Sequence, residues 1–519
     1  MKAGPPDHLI QPLEDRHRDF LRDESRSSGQ AESISFPINE AQVRSIVKTL
    51  SQQRKPITVQ GSRTGITGGA VPTGGHIMNL SKMTQVVGLQ CDRKGKFSIR
   101  VEPGISLEEL DRLIEGRRFE SDGWDNASRR ALAALYKAQR QVWPPDPSER
   151  TASIGGIAAH NSRGVCAHHY GPARDHIDSM RVVDAQGEVH CITRGQYVFS
   201  QKDGVCPLSG GGEVRVDPAN LPAGRPNDLM DLYLGSEGML GVITELTLAL
   251  QPLPGELWGI VFFFENQSGA ADFLQAVDQR QKLESVTDIV ALEFMDRTTL
   301  ECIRQYRQVN SRLREIPDWD AGLACAVYME IHGNSSQEAE TLAEWLLSAA
   351  ADCGSNPEAS WAFWGEREMA RLHLFRNAAP ESVNQLIDKA RQANPRITKL
   401  ATDMRLPKGS LTALLEMYAR GLQAYGLEAA IFGHAADRHL HVNILPHDNR
   451  QFDQGMALVA SWAKKIIAMG GDVVVEHGVG KVKKHLFRSI ALPEHLIVMR
   501  SVKQQLDPNG LWNPGNMFD

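Results

Sequence analysis

Apolar residues recur three and four positions apart in parts of the first third of the chain, and short apolar segments lie between these stretches. The spacing predicts one helix after Asn39 and another after Ser106, each preceded by a side chain that can cap its first turn. Strands are predicted at 56–60, 97–102, 180–183, 189–193 and 242–250, several of them beside glycine-rich turns. Strand, glycine turn and capped helix in alternation indicate layered packing of helices on sheets.

The pattern changes after residue 254. Apolar strands at Trp258–Phe264, Ile289–Phe294 and Ala324–Ile331 alternate with helical segments that carry fewer glycines. This pattern predicts a second domain, in which helices cover a sheet, and an α+β fold class for the chain. We therefore expect an N-terminal arm at 1–33, a first domain at 34–254 with an insertion near 115–145, and a C-terminal domain at 255–519.

Composition narrows the class of protein. The 519 residues are 41% hydrophobic and 23% charged, as in ordinary globular proteins, and the net charge of −6 argues against a general nucleic-acid binder. The seven cysteines include no Cys-x-x-Cys pair, which argues against an iron–sulfur cluster or a disulfide framework and favours a cytoplasmic location. There is no apolar run of about 18 residues, so we expect no membrane-spanning segment.

Three glycine-rich turns stand out, at 61–69, 155–164 and 235–241. Glycine lets a ligand approach the backbone closely, and successive exposed N–H groups can hold a pyrophosphate without a charged side chain. None of the three matches the Rossmann or the Walker pattern. Each turn alone is as readily structural, but three of them within 200 residues favour a nucleotide cofactor.

The amino-acid sequences of these turns resemble those of a known family. Pro56–Gly65 (PITVQGSRTG), Ala152–Gly156 (ASIGG) and Gly235–Thr244 (GSEGMLGVIT) resemble the FAD-binding domain of the vanillyl-alcohol oxidase/p-cresol methylhydroxylase superfamily. The resemblance implies a two-subdomain FAD-binding domain whose first loop takes the pyrophosphate. Arg63 either pairs with a phosphate or points to solvent. The implied cofactor-binding residues are Gly61, Ser62, Arg63, Thr64, Gly65, Ser153, Gly156, Asn161, Gly164, Glu237, Gly241 and Ile243.

A relative of this kind can attach FAD covalently through a histidine in the first loop. No histidine lies between residues 56 and 75, so we expect FAD to be held non-covalently.

Ligand-capable side chains concentrate in two later segments. His434, His439 and His441 lie within Gly433–Asn443, and Glu476 and His477 follow the apolar run 473–475, which we interpret as a strand. Two histidines and a carboxylate make a credible site for a divalent ion with an open coordination position.

These segments resemble the C-terminal domain of FAD-dependent D-2-hydroxyacid dehydrogenases, an antiparallel-sheet substrate (cap) domain covered by helices. The resemblance implies that His434, His441 and Glu476 bind zinc or manganese, that Asn443 orients the substrate, and that His477 is the general base. Ala436, Arg438 and His439 depart from the family's Gly, Gly and Asn. Either they reshape the pocket, or His439 adds a ligand.

The same resemblance implies a clamp for the substrate carboxylate, made by Arg376 and Lys399, with Arg367 as the rival arginine. The planar fork of an arginine suits a carboxylate.

The implied function is oxidation of a small, D-lactate-like 2-hydroxy acid to the 2-oxo acid, with hydride transfer to flavin N5. Electrons would then pass to a separate acceptor, which is an iron–sulfur protein, an electron-transfer flavoprotein, a quinone or oxygen. A peripheral membrane location and a homodimer stay open. The alternatives are a non-redox flavoenzyme, such as the ether-lipid synthases of the superfamily, and a flavin-bearing subunit of a larger complex.

Overall fold

The computed structural model of the protein describes residues 9–208, 211–217, 227–284, 289–406 and 409–518. By its internal packing the chain divides into two compact units. The first unit comprises Met1–Gly164, Gly171–Leu253 and Glu476–Asp519, and the second comprises Val165–Tyr170 and Pro254–Val475.

The strands of both units are short to medium in length. In chain order they are β1 (Gln11–Pro12), β2 (Ser33–Ser35), β3 (Ile57–Gln60), β4 (His76–Asn79), β5 (Val86–Cys91), β6 (Phe97–Val101), β7 (Gln141–Val142), β8 (Ile177–Val183), β9 (Val189–Thr193), β10 (Val205–Pro207), β11 (Glu213–Arg215), β12 (Val242–Ala249), β13 (Gln251–Pro252), β14 (Glu256–Phe264), β15 (Ile289–Asp296), β16 (Cys325–Gly333), β17 (Trp361–Trp364), β18 (Leu400–Ala401), β19 (Met404–Arg405), β20 (Ala429–His434) and β21 (His439–Ile444).

The α-helices range from single turns to a helix of 28 residues. In chain order they are α1 (Glu40–Gln52), α2 (Leu107–Gly116), α3 (Asn126–Leu135), α4 (Ile154–His160), α5 (Ala167–Tyr170), α6 (Met230–Tyr233), α7 (Gln267–Glu284), α8 (Arg297–Val309), α9 (Ser336–Asp352), α10 (Glu366–Ala393), α11 (Leu411–Tyr425), α12 (Asn449–Ala468), α13 (Lys484–Ile490) and α14 (Pro493–Leu506).

The first unit contains two principal sheets. One has the order β1-β2-β4-β3, with β4 parallel to both of its neighbours, and the other is antiparallel with the order β5-β6-β12-β8-β9. The predicted helix caps are confirmed, since the Asn39 side chain accepts from the Gln42 N–H at the start of α1 and Ser106 accepts from the Glu109 N–H at the start of α2. Such caps satisfy N–H groups that have no partner within the helix.

The second unit is built on one antiparallel sheet with the order β17-β14-β16-β15-β20-β21-β18, and β19 also pairs with β21. The long helix α10 buries Leu372, Phe375 and Val383 in the same core as Tyr328 of β16. The predicted α+β class, with helices over an antiparallel sheet in the C-terminal half, is confirmed.

One face of this sheet carries polar side chains across four adjacent strands. Side chains alternate along a strand, and directly paired residues share a face. Glu293 of β15 pairs with Tyr328 of β16 and with His434 of β20, and His434 pairs with His439 of β21. We call this side of the sheet the polar face. By the same alternation it includes Glu330, His332, His441 and Asn443.

The packing distributes the chain differently from the predicted domain boundaries. Residues 476–519 pack with the first unit, and the described part of the N-terminal arm contributes β1 to the first sheet. The segment 115–145 buries Trp124, Leu132 and Leu135 in the core of the first unit.

The prediction of a strand at 473–475 is wrong. These residues have no strand pairing, and the nearest bridge joins Arg405 to Asp472. Glycines at 470, 478 and 480 take positive φ angles, which interrupt an extended run and turn the chain.

His76 links the packing of the first sheet to pH. Its ring nitrogens lie 2.9 Å from Ser33 Oγ and 2.8 Å from Ser35 Oγ, and the side chain is fully buried. Burial, with a smaller effect of the Lys55 charge, lowers the pKa of His76 to about 3. The unfolded chain takes up this proton near the ordinary pKa of histidine, whereas the folded chain stays neutral, so stability falls as the pH decreases.

We therefore expect His76→Gln to lessen the loss of unfolding free energy between pH 7.5 and pH 5 by about 2 kcal/mol. Urea unfolding at several pH values measures this slope. His447→Gln, at a largely exposed histidine, is the control and should leave the slope unchanged. A wild-type slope in His76→Gln would contradict the assignment.

Candidate functional site

The three glycine-rich turns of the first unit converge on helix α4. Ser153 caps this helix, with its Oγ 3.3 Å from the Gly156 nitrogen, and a Cβ added at Gly61 would lie only 2.0 Å from the same Oγ. At the other end of α4, the Gly235 nitrogen donates to Ala158 O and the Glu237 nitrogen to Ala159 O. The first turn therefore meets the start of α4, and the third turn meets its end.

A buried ring nitrogen lies beside these turns. His160 Nδ1 is 3.1 Å from Gly156 O, while Nε2 is buried and has no hydrogen-bond partner among the described residues. A Cβ added at Gly69 would lie 3.4 Å from this Nε2. A buried polar atom without a partner fits a bound polar group, and the glycine backbone around it fits the close approach of a nucleotide such as FAD.

Several of the residues predicted to bind the cofactor contact other residues of the protein. The guanidinium of Arg63 stacks 4.5 Å from the centre of the Phe20 ring and donates to Asp19 O. Its pairing with a phosphate stays a prediction. Asn161 Oδ1 accepts from the Arg174 nitrogen at 3.0 Å. Ile243 is buried in the core of the first unit.

The remaining predicted cofactor residues lie in tight backbone turns. The Ser62 nitrogen is 3.4 Å from Ser153 Oγ, and Thr64 and Gly65 continue the first turn. A Cβ at Gly164 would lie 2.4 Å from backbone atoms of Asp146, and one at Gly241 would lie 2.8 Å from Val182. Whether any of these residues contacts FAD stays a prediction.

The predicted base belongs to a loop that packs on the first glycine turn. The buried carboxylate of Glu237 accepts from the Val479 nitrogen at 2.6 Å and from the Gly480 nitrogen at 2.9 Å. Thr67 Oγ1 donates to His477 O at 3.2 Å, and Thr67 O accepts from the Lys481 nitrogen at 2.9 Å. Within the first unit, His477 therefore lies in a loop that is tied to two of the three glycine turns.

In the second unit, three histidines gather on the polar face. His434, His439 and His441 are all buried and come from the paired strands β20 and β21. One ring nitrogen of each lies within 4.8 Å of one ring nitrogen of each of the others. Side chains alternate along β21, so His439 and His441 share a face, and the pairing of β20 with β21 adds His434.

Each of these rings is also held by a protein acceptor. His434 Nδ1 is 3.2 Å from Glu293 Oε1, His439 Nε2 is 3.0 Å from Asp403 Oδ1, and His441 Nδ1 is 3.1 Å from Thr402 O. Such partners fix the ring orientation of metal-binding histidines. Burial lowers the pKa of His439 to about 4, which Asp403 only partly offsets, and a neutral imidazole is the form that binds a metal.

Arg376 contacts a carboxylate of the protein itself. Its Nε and Nη2 lie 2.9 and 3.0 Å from the two oxygens of Glu293, in a bidentate pair that is almost fully buried. Burial alone would raise the pKa of Glu293, but the charges of Arg376 and His434 outweigh it and lower the pKa. Glu293 was missed from the sequence, although it is a lone carboxylate in the otherwise apolar run of β15 before Asp296.

Two further predicted substrate residues lie in the second unit. Lys399 Nζ donates to Asn384 Oδ1 at 3.0 Å, and Asn443 is buried with its amide 3.3 Å from His441 O. Glu476 packs with the first unit, so its role as a metal ligand stays a prediction. Asp403, like Glu293, had no role in the sequence prediction.

Comparison with known proteins identifies the family. The model for the C-terminal domain of FAD linked oxidases matches residues 261–517, and the model for an FAD binding domain matches residues 31–123 and 127–193. The chain belongs to the family of FAD-linked oxidases. The family inferred from the sequence motifs is thus confirmed, and the protein is an FAD-linked oxidoreductase.

Relatives match this FAD-linked oxidase along almost its whole length. A D-lactate dehydrogenase of Anaerostipes hadrus is 26% identical, over 96% of this chain and 93% of its own. The glycolate oxidase subunit GlcD of Bacillus subtilis is 25% identical, over 94% and 89%. A D-2-hydroxyglutarate dehydrogenase of Stutzerimonas stutzeri is 24% identical, over 94% and 90%.

Solved structures share the fold. A 4-ethylphenol oxidase from Gulosibacter chungangensis superposes with a TM-score of 0.67 at 16% identity, over 98% of this chain and 94% of its own. An alkyldihydroxyacetonephosphate synthase superposes with a TM-score of 0.63 at 15% identity, over 98% and 82%. In the part of the chain that the structure describes, none of the helices has the length and apolar character that crossing a bilayer requires.

The pair of Arg376 and Glu293 yields a stability prediction. Arg376→Gln would leave a carboxylate buried without its arginine, and we expect a loss of about 3–5 kcal/mol of unfolding free energy. The double variant Glu293→Gln, Arg376→Gln removes both charges and should lose much less than the single variant. Denaturant unfolding of the wild type, of Arg376→Gln and Glu293→Gln alone, and of the double variant gives the coupling free energy.

The more exposed pair of Arg405 and Asp472 in the same unit is the control for this cycle. Arg405→Gln should change the unfolding free energy by no more than about 1 kcal/mol. Equal losses in the Arg405 and Arg376 variants would refute the importance assigned to the buried pair.

Proposed function

We propose that this FAD-linked oxidase converts a small D-2-hydroxy acid into the corresponding 2-oxo acid. The observation that carries the proposal is the cluster of His434, His439 and His441, in which ring nitrogens converge and every ring has a second partner. Relatives named for D-lactate, glycolate and D-2-hydroxyglutarate chemistry support the substrate class.

The histidine cluster suits a divalent ion of the zinc or manganese type. His434 and His441 would each bind through Nε2, because Nδ1 of both rings already faces a protein acceptor. His439 would add a third nitrogen, through Nδ1, and Glu476 remains the predicted carboxylate ligand. When bound, the ion would supply Lewis-acid polarisation of the substrate hydroxyl.

His477 is the proposed general base, because a histidine titrates near neutral pH and can take the hydroxyl proton. The bonds from Glu237 to the Val479 and Gly480 nitrogens hold the loop that carries it. FAD, when bound without a covalent link, supplies the acceptor for the C2 hydride at N5.

The proposed carboxylate clamp consists of Lys399 and Arg376, with Asn443 orienting the substrate. Glu293 balances the charge of Arg376 and fixes the plane of its guanidinium. We infer that Arg376 contributes a rigid, oriented hydrogen-bond donor, while the ammonium of Lys399 contributes a charge on a flexible stem.

Electrons would leave this enzyme for a separate acceptor, which is an iron–sulfur protein, an electron-transfer flavoprotein or a quinone. A cytoplasmic or peripheral membrane location and a homodimer remain predictions from the sequence.

The first experiment is to titrate the purified protein anaerobically with D-lactate, D-2-hydroxyglutarate, glycolate and larger D-hydroxy acids while the flavin absorbance is recorded. We expect one of them to bleach the flavin band. If that acid is chiral, its L-enantiomer should leave the band unchanged. A flavin that no acid bleaches, with zinc or manganese supplied, would favour the non-redox or subunit alternatives. A protein that takes up no FAD would refute the assignment of the glycine turns.

The role of the base is tested with the same reaction. His477→Gln should slow flavin reduction by about 10²–10⁴-fold while the bound FAD spectrum is kept, because it removes proton abstraction but not cofactor binding. His485→Gln, at an exposed histidine eight residues further along, is the matched control and should reduce flavin at the wild-type rate. A wild-type rate in His477→Gln would exclude this residue as the base.

A further inference from the structure

A second group of side chains that could bind a metal ion lies at strand β16, on the polar face. Cys166, Glu330 and His332 each offer one ligand atom, and these atoms all lie within 4.8 Å of one another. Cys166 and Glu330 are buried and His332 is mostly buried. All three belong to the second unit, because Cys166 lies in the short segment Val165–Tyr170 that packs with it.

The separation of the ligand atoms suits a tetrahedral ion. His332 Nε2 and Glu330 Oε2 are 3.7 Å apart. Two ligands on a tetrahedral zinc ion are roughly 3.3–3.6 Å apart, given its usual bond lengths. The His332–Glu330 separation therefore exceeds this range only slightly, and the thiol of Cys166 lies within 4.8 Å of one ligand atom of each of these residues.

Each of the two strand ligands has its other polar atom held by a neighbour. Tyr170 Oη is 2.8 Å from His332 Nδ1, which leaves Nε2 to face Glu330. Glu330 Oε1 accepts from Tyr328 Oη and lies 3.3 Å from His373 Nε2, while Oε2 is the oxygen nearer to His332. Outer partners of this kind orient the ligands of metal sites.

The segment that supplies the thiol also supplies one of these partners. Within it, the Tyr170 nitrogen donates to Cys166 O at 2.9 Å, as in one turn of helix. This turn presents the thiol and the tyrosine hydroxyl to the same strand, β16. The ligand set and one of its outer contacts therefore come from one turn of helix and one strand.

We propose that Cys166, Glu330 and His332 form a second site for a divalent ion of the zinc class, separate from the histidine cluster. A thiolate, an imidazole and a carboxylate together favour zinc over the harder manganese and magnesium ions. Three protein ligands leave a fourth position for water or for an oxygen of a bound molecule. The two sites stand on strands β16 and β20, two strand spacings or roughly 10 Å apart.

The thiol distinguishes this site from the other, because the histidine cluster contains none. Cobalt, which replaces zinc, gives a sulfur-to-metal charge-transfer band only where a thiolate is bound. We would titrate metal-free holoenzyme with Co²⁺ and record difference spectra against the metal-free sample, with the bound metal per chain measured in parallel. The expected result is a charge-transfer band that rises to a maximum and then stays constant, with up to two metal ions bound per chain because the histidine cluster also takes cobalt.

Three substitutions assign the band. Cys166→Ser should abolish it, and Tyr170→Phe should weaken cobalt binding at this site about 10–100-fold, because it removes an outer partner of His332. Cys325→Ser is the matched control, since Cys325 is also buried and lies on β16, but on the face opposite to Glu330 and His332, and it should keep the full band. His434→Ala should also keep the band while the protein binds less metal in total.

The proposal is overturned if wild-type holoenzyme shows no charge-transfer band at saturating Co²⁺, or if the band survives in Cys166→Ser. Should Cys166→Ser fail to fold, His332→Gln replaces it and should likewise lose the band, whereas a retained band would refute the site. These readouts do not depend on flavin bleaching, so this site and the proposed dehydrogenase activity can fail separately.

Discussion

A carboxylate that is charged and buried must be surrounded by positive or hydrogen-bonding groups, and this constraint organises the second unit. Glu293 is 2% exposed. Its carboxylate oxygens accept from Nε and Nη2 of Arg376 and lie beside Nδ1 of His434. Arg376 is thereby fixed in its plane and His434 in its ring orientation. Glu293, for which no chemical role is predicted, thus fixes the orientation of Arg376 and His434, for which roles are predicted.

The same requirement is repeated along the polar face. Glu330 is buried one strand away and contacts Tyr328 and His373, with His332 Nε2 3.7 Å away, while Asp403 pairs with buried His439. Burial and strong polar contacts make such networks rigid, because any group left without a partner costs its full desolvation free energy. The polar groups of this face are therefore held in fixed positions.

The first unit meets a different requirement, which is to bring backbone rather than charge close to a ligand. The glycine turns abut helix α4 at distances that no side chain would tolerate, as at Gly61 against Ser153. Glu237 then ties the loop of Glu476 and His477 to this arrangement through two backbone nitrogens. The predicted cofactor residue Glu237 thus has a structural contact, and the sequence showed only that it lies in a glycine-rich motif.

Local patterns determined much of this protein. The capped helices α1 and α2, the strands β3, β6, β8, β9 and β12, and the strands β14, β15 and β16 follow from residue spacing, which depends only on neighbours in the chain. The shared face of His439 and His441 follows from the same rule. The three glycine turns and the histidine motif were also sufficient to predict the family, because they are short and contiguous.

Only the tertiary structure decided which distant groups meet. The spacing of residues cannot reveal that Arg376 faces Glu293, 83 positions away, or that Cys166 faces His332. It also cannot show that residues 476–519 return to the first unit, or that the apolar run 473–475 is a loop. Such outcomes depend on strand order and on the pairing of buried polar groups, and both arise from contacts between segments that are remote in sequence.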